Sequence, residues 1–419
     1  MLYERWRTLA LSRRSERALH DVGNGRAWTF GEVLDQADQQ PAPTEKIVCP
    51  SGASAAFFFD VLRAWRWKIP LCPLEIGQPL PGTSTWPAGI AHLKSTSATT
   101  GAPRLIALTE AQLAADAENV VATMGLRPDW PNVGVISLAH SYGFSNLVTP
   151  LLLHGIPLIL ADSPLPEPLR RVAALASALT LPAVPALWST WHDAAAIPPQ
   201  VRLAISAGAP LPLPLEEEIY QVRGLKVHNF YGASECGGIA YDASTIPRTD
   251  AACVGSPLRG VQLRVGTDGC LEVRSAAVAE TYWPQPEPEL AAGCYRTRDL
   301  VDLRGEQVHL LGRATDQINV AGRKLHPAVV EESLRLCELV KDCMVFGMPS
   351  ADPTRVEEVA AVVVLREAGS LEALREFLLA RLPAWQVPKI WRQAPALEVN
   401  QRGKLSRAEW RRKLLAERG

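Results

Sequence analysis

Short apolar runs and helical patterns alternate through the first half of the chain. "EKIVCP" (45–50), "NVGVISLA" (132–139), "IPLILA" (156–161), "RLAISAG" (202–208) and "LKVHNFYG" (225–232) read as strands. "TEAQLAADAENVVATMG" (109–125) and "PLRRVAALASAL" (168–179) carry apolar residues at helical spacing. This alternation predicts an α/β fold with a largely parallel sheet. From about 255 to 311 the pattern changes to short strands joined by turns, with Thr267-Asp268-Gly269 and Arg304-Gly305 at the turns, as in antiparallel pairs. Beyond Gly312, "HPAVVEESLRLC" and "SLEALREFLLARL" read as amphipathic helices, and "KDCMVFGMP" and "EEVAAVVVLRE" as strands. The expected organisation is a large N-terminal domain of layered sheets and helices (1–312), with a small antiparallel β subdomain at 255–311. A small α+β C-terminal domain (313–419) follows.

Length and composition agree with that division. The chain has 419 residues, enough for two or three domains of about 150 residues. It is 47% hydrophobic and 21% charged, with a formal net charge of −1. Nothing in that balance attracts nucleic acid or an anionic membrane. The basic tail from Arg402 to Arg418 alternates with acidic and apolar residues, as on a solvated helix face. None of the eight cysteines stands in a C-x-x-C pair or a zinc pattern, which fits reduced thiols and a cytoplasmic setting. The N-terminus lacks the apolar core of a signal peptide. "LVTPLLLHGIPLILA" is too short to span a bilayer and reads as a buried helix, turn and strand.

Five segments carry candidate chemistry. "STSATTGAPR" (95–104) crowds hydroxyls and one cation between two apolar strands, a setting that suits a phosphate cradle or an ordinary turn. It lacks the G-x-x-x-x-G-K-[ST] pattern of the P-loop. "NFYGASECGG" offers Tyr231, Gly232, Ser234 and Glu235 at a strand end, either as a turn or as a stacking face, a close backbone approach and a cation ligand. "YRTRDL" offers Asp299 for a pair of sugar hydroxyls. "GRATDQINVAGRKLHPAVVEE" is polar at the domain boundary, and "NQRGKLSR" places Lys404 on a glycine loop.

In order and spacing these segments resemble the adenylate-forming (AMP-binding) superfamily, which includes acyl- and aryl-CoA synthetases, peptide-synthetase adenylation domains and luciferases. Ser95–Arg104 follows the family's [ST]-[ST]-G-T-T-G-x-P-K loop, with Ala98 for a glycine and Arg104 for the lysine. Tyr231–Glu235 matches aromatic-Gly-x-Thr-Glu, with serine for threonine. Tyr295–Asp299 matches Tyr-x-Thr-Gly-Asp, with Arg298 for glycine. Gly312 opens the hinge motif, with Thr315 for its first aspartate, and Gly403-Lys404 matches the terminal Gly-Lys. The loop begins earlier in the chain than is usual, so much of the family's N-terminal subdomain is absent or compressed.

The resemblance implies ATP-dependent formation of an acyl-adenylate, then transfer of the acyl group to a thiol. That thiol is CoA, or in the alternative the phosphopantetheine of an acyl carrier protein. A catalytically silent adenylate-binding protein is a third reading. Ser95, Thr96, Ser97, Thr99, Thr100, Gly101 and Arg104 would hold the phosphates. Glu235, with Thr99, would hold Mg²⁺, and Ser234 would lie near the α-phosphate. Gly208, Ala209, Pro210, Tyr231 and Gly232 would form the adenine site. Asp299 would take the ribose hydroxyls, with Arg313 near ribose or phosphate. Lys404 would act in the first half-reaction on a mobile C-terminal domain turning about Thr315. "SLAHSYGF" resembles the His-containing motif of acyl- and aryl-CoA ligases, so His140 would gate the carboxylate. Tyr142, Gly143, Trp188, Ser206 and Gly237 would shape a pocket for an aryl or medium acyl group. The expected protein is a monomer or homodimer without nucleic-acid or membrane partners.

Overall fold

The computed structural model describes residues 1–81, 85–95, 104–350, 356–366, 369–397 and 406–418. They fall into two units. The first comprises Met1–Gly266, Glu272–Thr297 and Leu303–His309. The second comprises Thr267–Leu271, Arg298–Asp302 and Leu310–Gly419.

The first unit is built on a nine-stranded sheet of order β11-β10-β9-β8-β7-β5-β6-β1-β2. Its strands are β1 (Arg17–Asp21), β2 (Arg26–Thr29), β5 (Asn132–Gly134), β6 (Leu158–Leu160), β7 (Leu179–Ala183), β8 (Val201–Ser206), β9 (Val227–Ala233), β10 (Gly237–Tyr241) and β11 (Ser256–Pro257). A separate antiparallel pair is formed by β3 (Ile90–Ser95) and β4 (Leu105–Thr109). From β1 through β6, β5, β7 and β8 to β9 the pairing is parallel. Antiparallel strands close both edges. β5, β6 and β7 are buried along their whole length, as expected where helices cover both faces of a parallel sheet. The core on one face gathers Val133, Leu169, Trp188, Trp191, Ile197 and Ile219.

Local chemistry sets the element ends. Helix α1 is Leu2–Ser12, α2 is Phe30–Gln39, α3 is Ala55–Trp67 and α4 is Glu110–Met124. Both α2 and α4 open with capping boxes. Thr109 Oγ1 accepts the amide of Gln112 at 3.3 Å, and Gln112 Oε1 accepts the amide of Thr109 at 2.8 Å. "EKIVCP", expected as a strand, forms only the isolated bridge Val48–Leu71, with a second, Ser51–Leu74, just beyond it. Pro50, Pro70 and Pro73 remove the donors that a continuous ladder needs. β1 and β2, a hairpin the pattern did not announce, complete the sheet edge.

In the β3–β4 pair Ser95 lies directly opposite Leu105. A strand from far along the chain, Thr281–Trp283, adds to β4 and sets Tyr282 opposite Ile106.

The second unit holds a three-stranded sheet. Val340–Pro349 runs antiparallel to Glu357–Leu365, which is parallel to Ile390–Gln393. Successive side chains point to opposite faces. Val345, Val359, Ala361 and Val363 pack with Val330 and Leu334 of helix Pro327–Arg335 and with Leu374 and Leu378 of helix Leu371–Leu379. Met344, Phe346, Ala360 and Val362 pack with Trp410 and Leu414 of helix Arg407–Arg418. With both faces covered, these strands read as unbroken apolar runs. No helix among the described residues is long and apolar enough to cross a membrane.

Candidate active site

Chain order locates a crevice in the first unit. From β5 the chain passes to β6 on one side, then returns to β7 on the other. Ligands of open α/β sheets bind outside the carboxyl ends of the strands at such a switch point. The segment leaving β5 contains Ser137, His140, Ser141, Tyr142 and Gly143. Ser206 ends β8, and Tyr231 and Gly232 lie near the end of β9.

The segment after β5 is tightly constrained. Ser137 Oγ donates to Glu75 Oε1 at 2.7 Å and accepts the amide of Ala139 at 3.3 Å. The carbonyl of His140 accepts the amide of Phe144 at 2.8 Å, which opens a short helical turn. A Cβ on Gly143 would lie 1.9 Å from the carbonyl oxygen of Ser137, so only glycine allows this return of the chain. The Tyr142 hydroxyl lies 3.4 Å from the carbonyl oxygens of Ala183 and Ile205, at the ends of β7 and β8. Its ring packs 5.9 Å from Phe230.

Two segments expected to serve different substrates meet here. Ser141 Oγ donates to Ser234 Oγ at 2.7 Å. The next residue, Glu235, accepts the Tyr282 hydroxyl at 3.0 Å on Oε1, and its carbonyl accepts the amide of Ala279 at 2.8 Å. Oε2 of Glu235 has no hydrogen-bond partner among the described residues. The Tyr282 and Tyr295 phenols are both pushed up, first by burial and then by the Glu235 charge. Gly237 adopts φ +71°, and a Cβ there would lie 2.0 Å from Asp116 Oδ1. Any side chain at 237 would therefore displace Asp116 from the amide of Gly238, which it accepts at 3.1 Å.

Arg104 ends the hydroxyl-rich segment. Its guanidinium pairs with Glu287 and stacks over the Tyr282 ring, 5.0 Å from the centroid. Ser95 Oγ accepts Gln78 Nε2 at 2.7 Å. Gly208, Ala209 and Pro210 follow β8 on the surface. Ser206 is wholly buried, and its hydroxyl has no partner among the described residues. Trp188, expected as a pocket wall, is 0% exposed in the helix–sheet core. It packs edge-on against Trp191 at 5.4 Å and donates Nε1 to the Ile205 carbonyl at 3.2 Å. Satisfying that indole N–H turns the ring inward. Thr96, Ser97, Thr99, Thr100, Gly101 and Lys404 lie outside the described residues.

The remaining assigned residues belong to the second unit. Asp299 Oδ1 accepts Arg313 Nε at 2.9 Å, so the expected ribose acceptor is already held by a cation. Thr315 is exposed in the turn Ala314–Asp316, and its hydroxyl donates to Asp316 at 3.3 Å. Asp316 also accepts Arg407 Nη1 at 2.9 Å. Nη2 of the same guanidinium donates to both oxygens of Glu331 at 2.8 and 2.9 Å, and Nε to the Val345 carbonyl at 3.0 Å.

Sequence reasoning missed Lys94, Asp116, Tyr282 and Glu287. Tyr295 was visible as the first residue of its motif but carried no role. Asp116 left one trace, a carboxylate on the helix face that carries Leu113, Ala117 and Val120.

Comparison with known proteins follows the same outline. The AMP-binding enzyme family profile matches residues 75–283, and that of the AMP-binding enzyme C-terminal domain matches 329–404. A probable 2-succinylbenzoate–CoA ligase of Mycobacterium tuberculosis is 29% identical over 354 residues, covering 78% of this chain and 85% of that protein. The anthranilate–CoA ligase of Pseudomonas aeruginosa is 28% identical over 349 residues, covering 78% and 67%. Among solved structures, ATP-bound MatB from Rhodopseudomonas palustris superimposes with a TM-score of 0.83 at 19% identity, covering 95% of each chain. The o-succinylbenzoate CoA synthetase of Bacillus subtilis, in complex with its acyl-adenylate, gives 0.82 at 18%, covering 97% of each. At those identities the structures speak for the fold, and the two profiles speak for the family. The chain belongs to the adenylate-forming superfamily, the AMP-binding enzyme family, and is an AMP-forming acid–thiol ligase.

Proposed function

We propose that this ligase activates an aryl or medium-chain carboxylic acid with Mg-ATP and transfers the acyl group to CoA. The observation that carries the reading is the 2.7 Å bond between Ser141 and Ser234. It joins the segment assigned to the acid, His140 to Gly143, with the segment assigned to the nucleotide, Tyr231 to Glu235. A carboxylate beside the first then lies near an α-phosphate beside the second, and such alignment supplies much of the catalysis in a displacement that needs little covalent help. The relatives named as CoA ligases for 2-succinylbenzoate and anthranilate support an aromatic acid and CoA.

In the first step the acid's oxygen bonds to the α-phosphorus and pyrophosphate leaves. In the second, a thiol sulfur bonds to the acyl carbon, AMP leaves and the thiol proton is lost. Ser95, Thr96, Ser97, Thr99, Thr100, Gly101 and Arg104 hold the phosphates, and Arg104 must exchange Glu287 for a phosphate oxygen. Gly208–Pro210, Tyr231 and Gly232 receive adenine. Asp299 and Arg313 serve the ribose, Thr315 the hinge, and Lys404 the first step.

Glu235 fits a hard cation. One carboxylate oxygen receives only a neutral phenol and the other has no protein donor among the described residues, which leaves the charge available to an oxygen-seeking ion. Bound magnesium would offset charge on the phosphate oxygens. His140 gates the acid, and Tyr142, Gly143, Ser206 and Gly237 border it.

The test is pyrophosphate release over a panel of carboxylic acids without thiol, followed by CoA or a phosphopantetheinylated carrier protein as acceptor. The reading expects release with an aromatic or medium-chain acid and thioester formation on CoA. Release of ADP and phosphate would refute it, and thioester formed on the carrier alone would replace CoA by the carrier.

A further inference from the structure

One residue before the hydroxyl-rich segment stands a buried cation that none of these roles uses. Lys94 lies on β3 and is 6% exposed. An ammonium has three donors, yet among the described residues Lys94 makes a single hydrogen bond, from Nζ to the carbonyl of Ser234 at 3.3 Å. Burial pushes its pKa down, while the carboxylates of Asp116 and Glu235 act the other way. His92, two residues earlier on the same strand face, is kept neutral chiefly by its own burial.

Its surroundings do not explain it as a simple ion pair. Asp116, 3% exposed, is served by the Ser145 hydroxyl at 2.5 Å and the Gly238 amide at 3.1 Å, and it forms no ion pair with Lys94. A buried cation without a carboxylate in contact is retained at a cost. What Lys94 touches is the turn that carries Ser234 and Glu235. That turn is fixed at four points: Lys94 on the Ser234 carbonyl, Ser141 on the Ser234 hydroxyl, Ala279 on the Glu235 carbonyl and Tyr282 on the Glu235 carboxylate. Three of these donors are neutral, and the fourth carries a full charge.

We propose that Lys94 is a positioning residue of the nucleotide site. It holds the Ser234–Glu235 turn and sets a positive potential there, which favours a polyphosphate over a bare nucleoside. The inference rests on the ATP reading above. Inside a low-dielectric site such a charge acts through space on the phosphates without touching them.

The test separates charge from scaffolding by comparing two ligands, ATP and adenosine, titrated calorimetrically without magnesium. Lys94→Met should weaken ATP by about tenfold and leave adenosine nearly unchanged. Lys94→Arg should keep most of the preference for ATP. Lys94→Gln, run in parallel, reads the same loss of charge should the methionine variant not fold. An unchanged ratio of ATP to adenosine affinity in the neutral variants overturns the proposal, as does an equal loss for both ligands. Wild-type protein that binds neither ligand overturns the ATP reading and this inference together, a result distinct from either of those.

Discussion

In the first unit the Glu235 carboxylate receives a phenol. In the second, Glu331, 6% exposed, receives Nη2 of the Arg407 guanidinium on both carboxylate oxygens and the amide of Val345 on Oε1. Both carboxylates are well held, but with opposite consequences. A neutral donor orders a carboxylate and leaves its charge to act on something else. A guanidinium in direct contact with both oxygens cancels the charge and turns the carboxylate into a brace. Glu216 in the first unit belongs to the second kind. It is wholly buried, and Lys226 and Arg248 pair with it. Partner chemistry therefore separates Glu235, whose charge is left to act, from Glu331 and Glu216, whose charge is cancelled.

The strongest test of that distinction is Glu235→Gln. The amide oxygen can still accept from Tyr282, so the melting temperature should stay within about 2 °C. Acid-dependent pyrophosphate release should fall about 100- to 1000-fold. Comparable losses of stability and activity would place Glu235 among the braces. Lys404→Ala should lower adenylation by about 100-fold while sparing thioester formation from a supplied acyl-adenylate. An equal loss in both half-reactions would remove its assignment to the first step.

Arg407→Met should show the opposite profile to Glu235→Gln. It strands Glu331 and Asp316, and we expect a loss of about 2–3 kcal/mol, below the range for a fully buried pair because Arg407 is a third exposed. Faster amide exchange in Val340–Pro349 would report it. Tyr282→Phe should have the smallest effect. It removes one neutral hydrogen bond to Glu235, worth about 1 kcal/mol, and should raise the magnesium concentration for half-maximal rate about fivefold. No change would mean that the phenol does not order the carboxylate.

The sequence made the action carboxylates more legible than their supports. Ser234, Glu235 and Asp299 stand in short motifs, because a reacting centre needs several specific groups close together along the chain. The apolar periods likewise announced β5, β6, β8 and β9 and the two long strands of the C-terminal sheet, but not β1 or β7. Lys94 was unreadable as a site residue, since a single lysine in "IAHLKS" looks like an exposed strand position until β4, α4 and the Ser234 turn close over it. Tyr282 was hidden for a similar reason. Its proximity to Glu235 depends on Thr281–Trp283 adding to β4, a pairing no local pattern specifies. Trp188 misled in the other direction. An aromatic near an expected pocket is also a good core residue, and the carbonyl of Ile205 gave its indole a partner inside.

The strand Thr281–Trp283 also has a consequence for the order of assembly. Arg104 and Glu287, which it helps to bring together, are 183 residues apart in the chain. Closing so long a loop is entropically unfavourable and belongs late in folding, after the locally wound α/β layers have formed. A nascent chain that has emerged only as far as β11 can complete most of its large sheet, but it still lacks Tyr282 beside Glu235 and the partner of Arg104. The support of Glu235 and Arg104 is in this sense acquired late, when nearly the whole first unit has been synthesised.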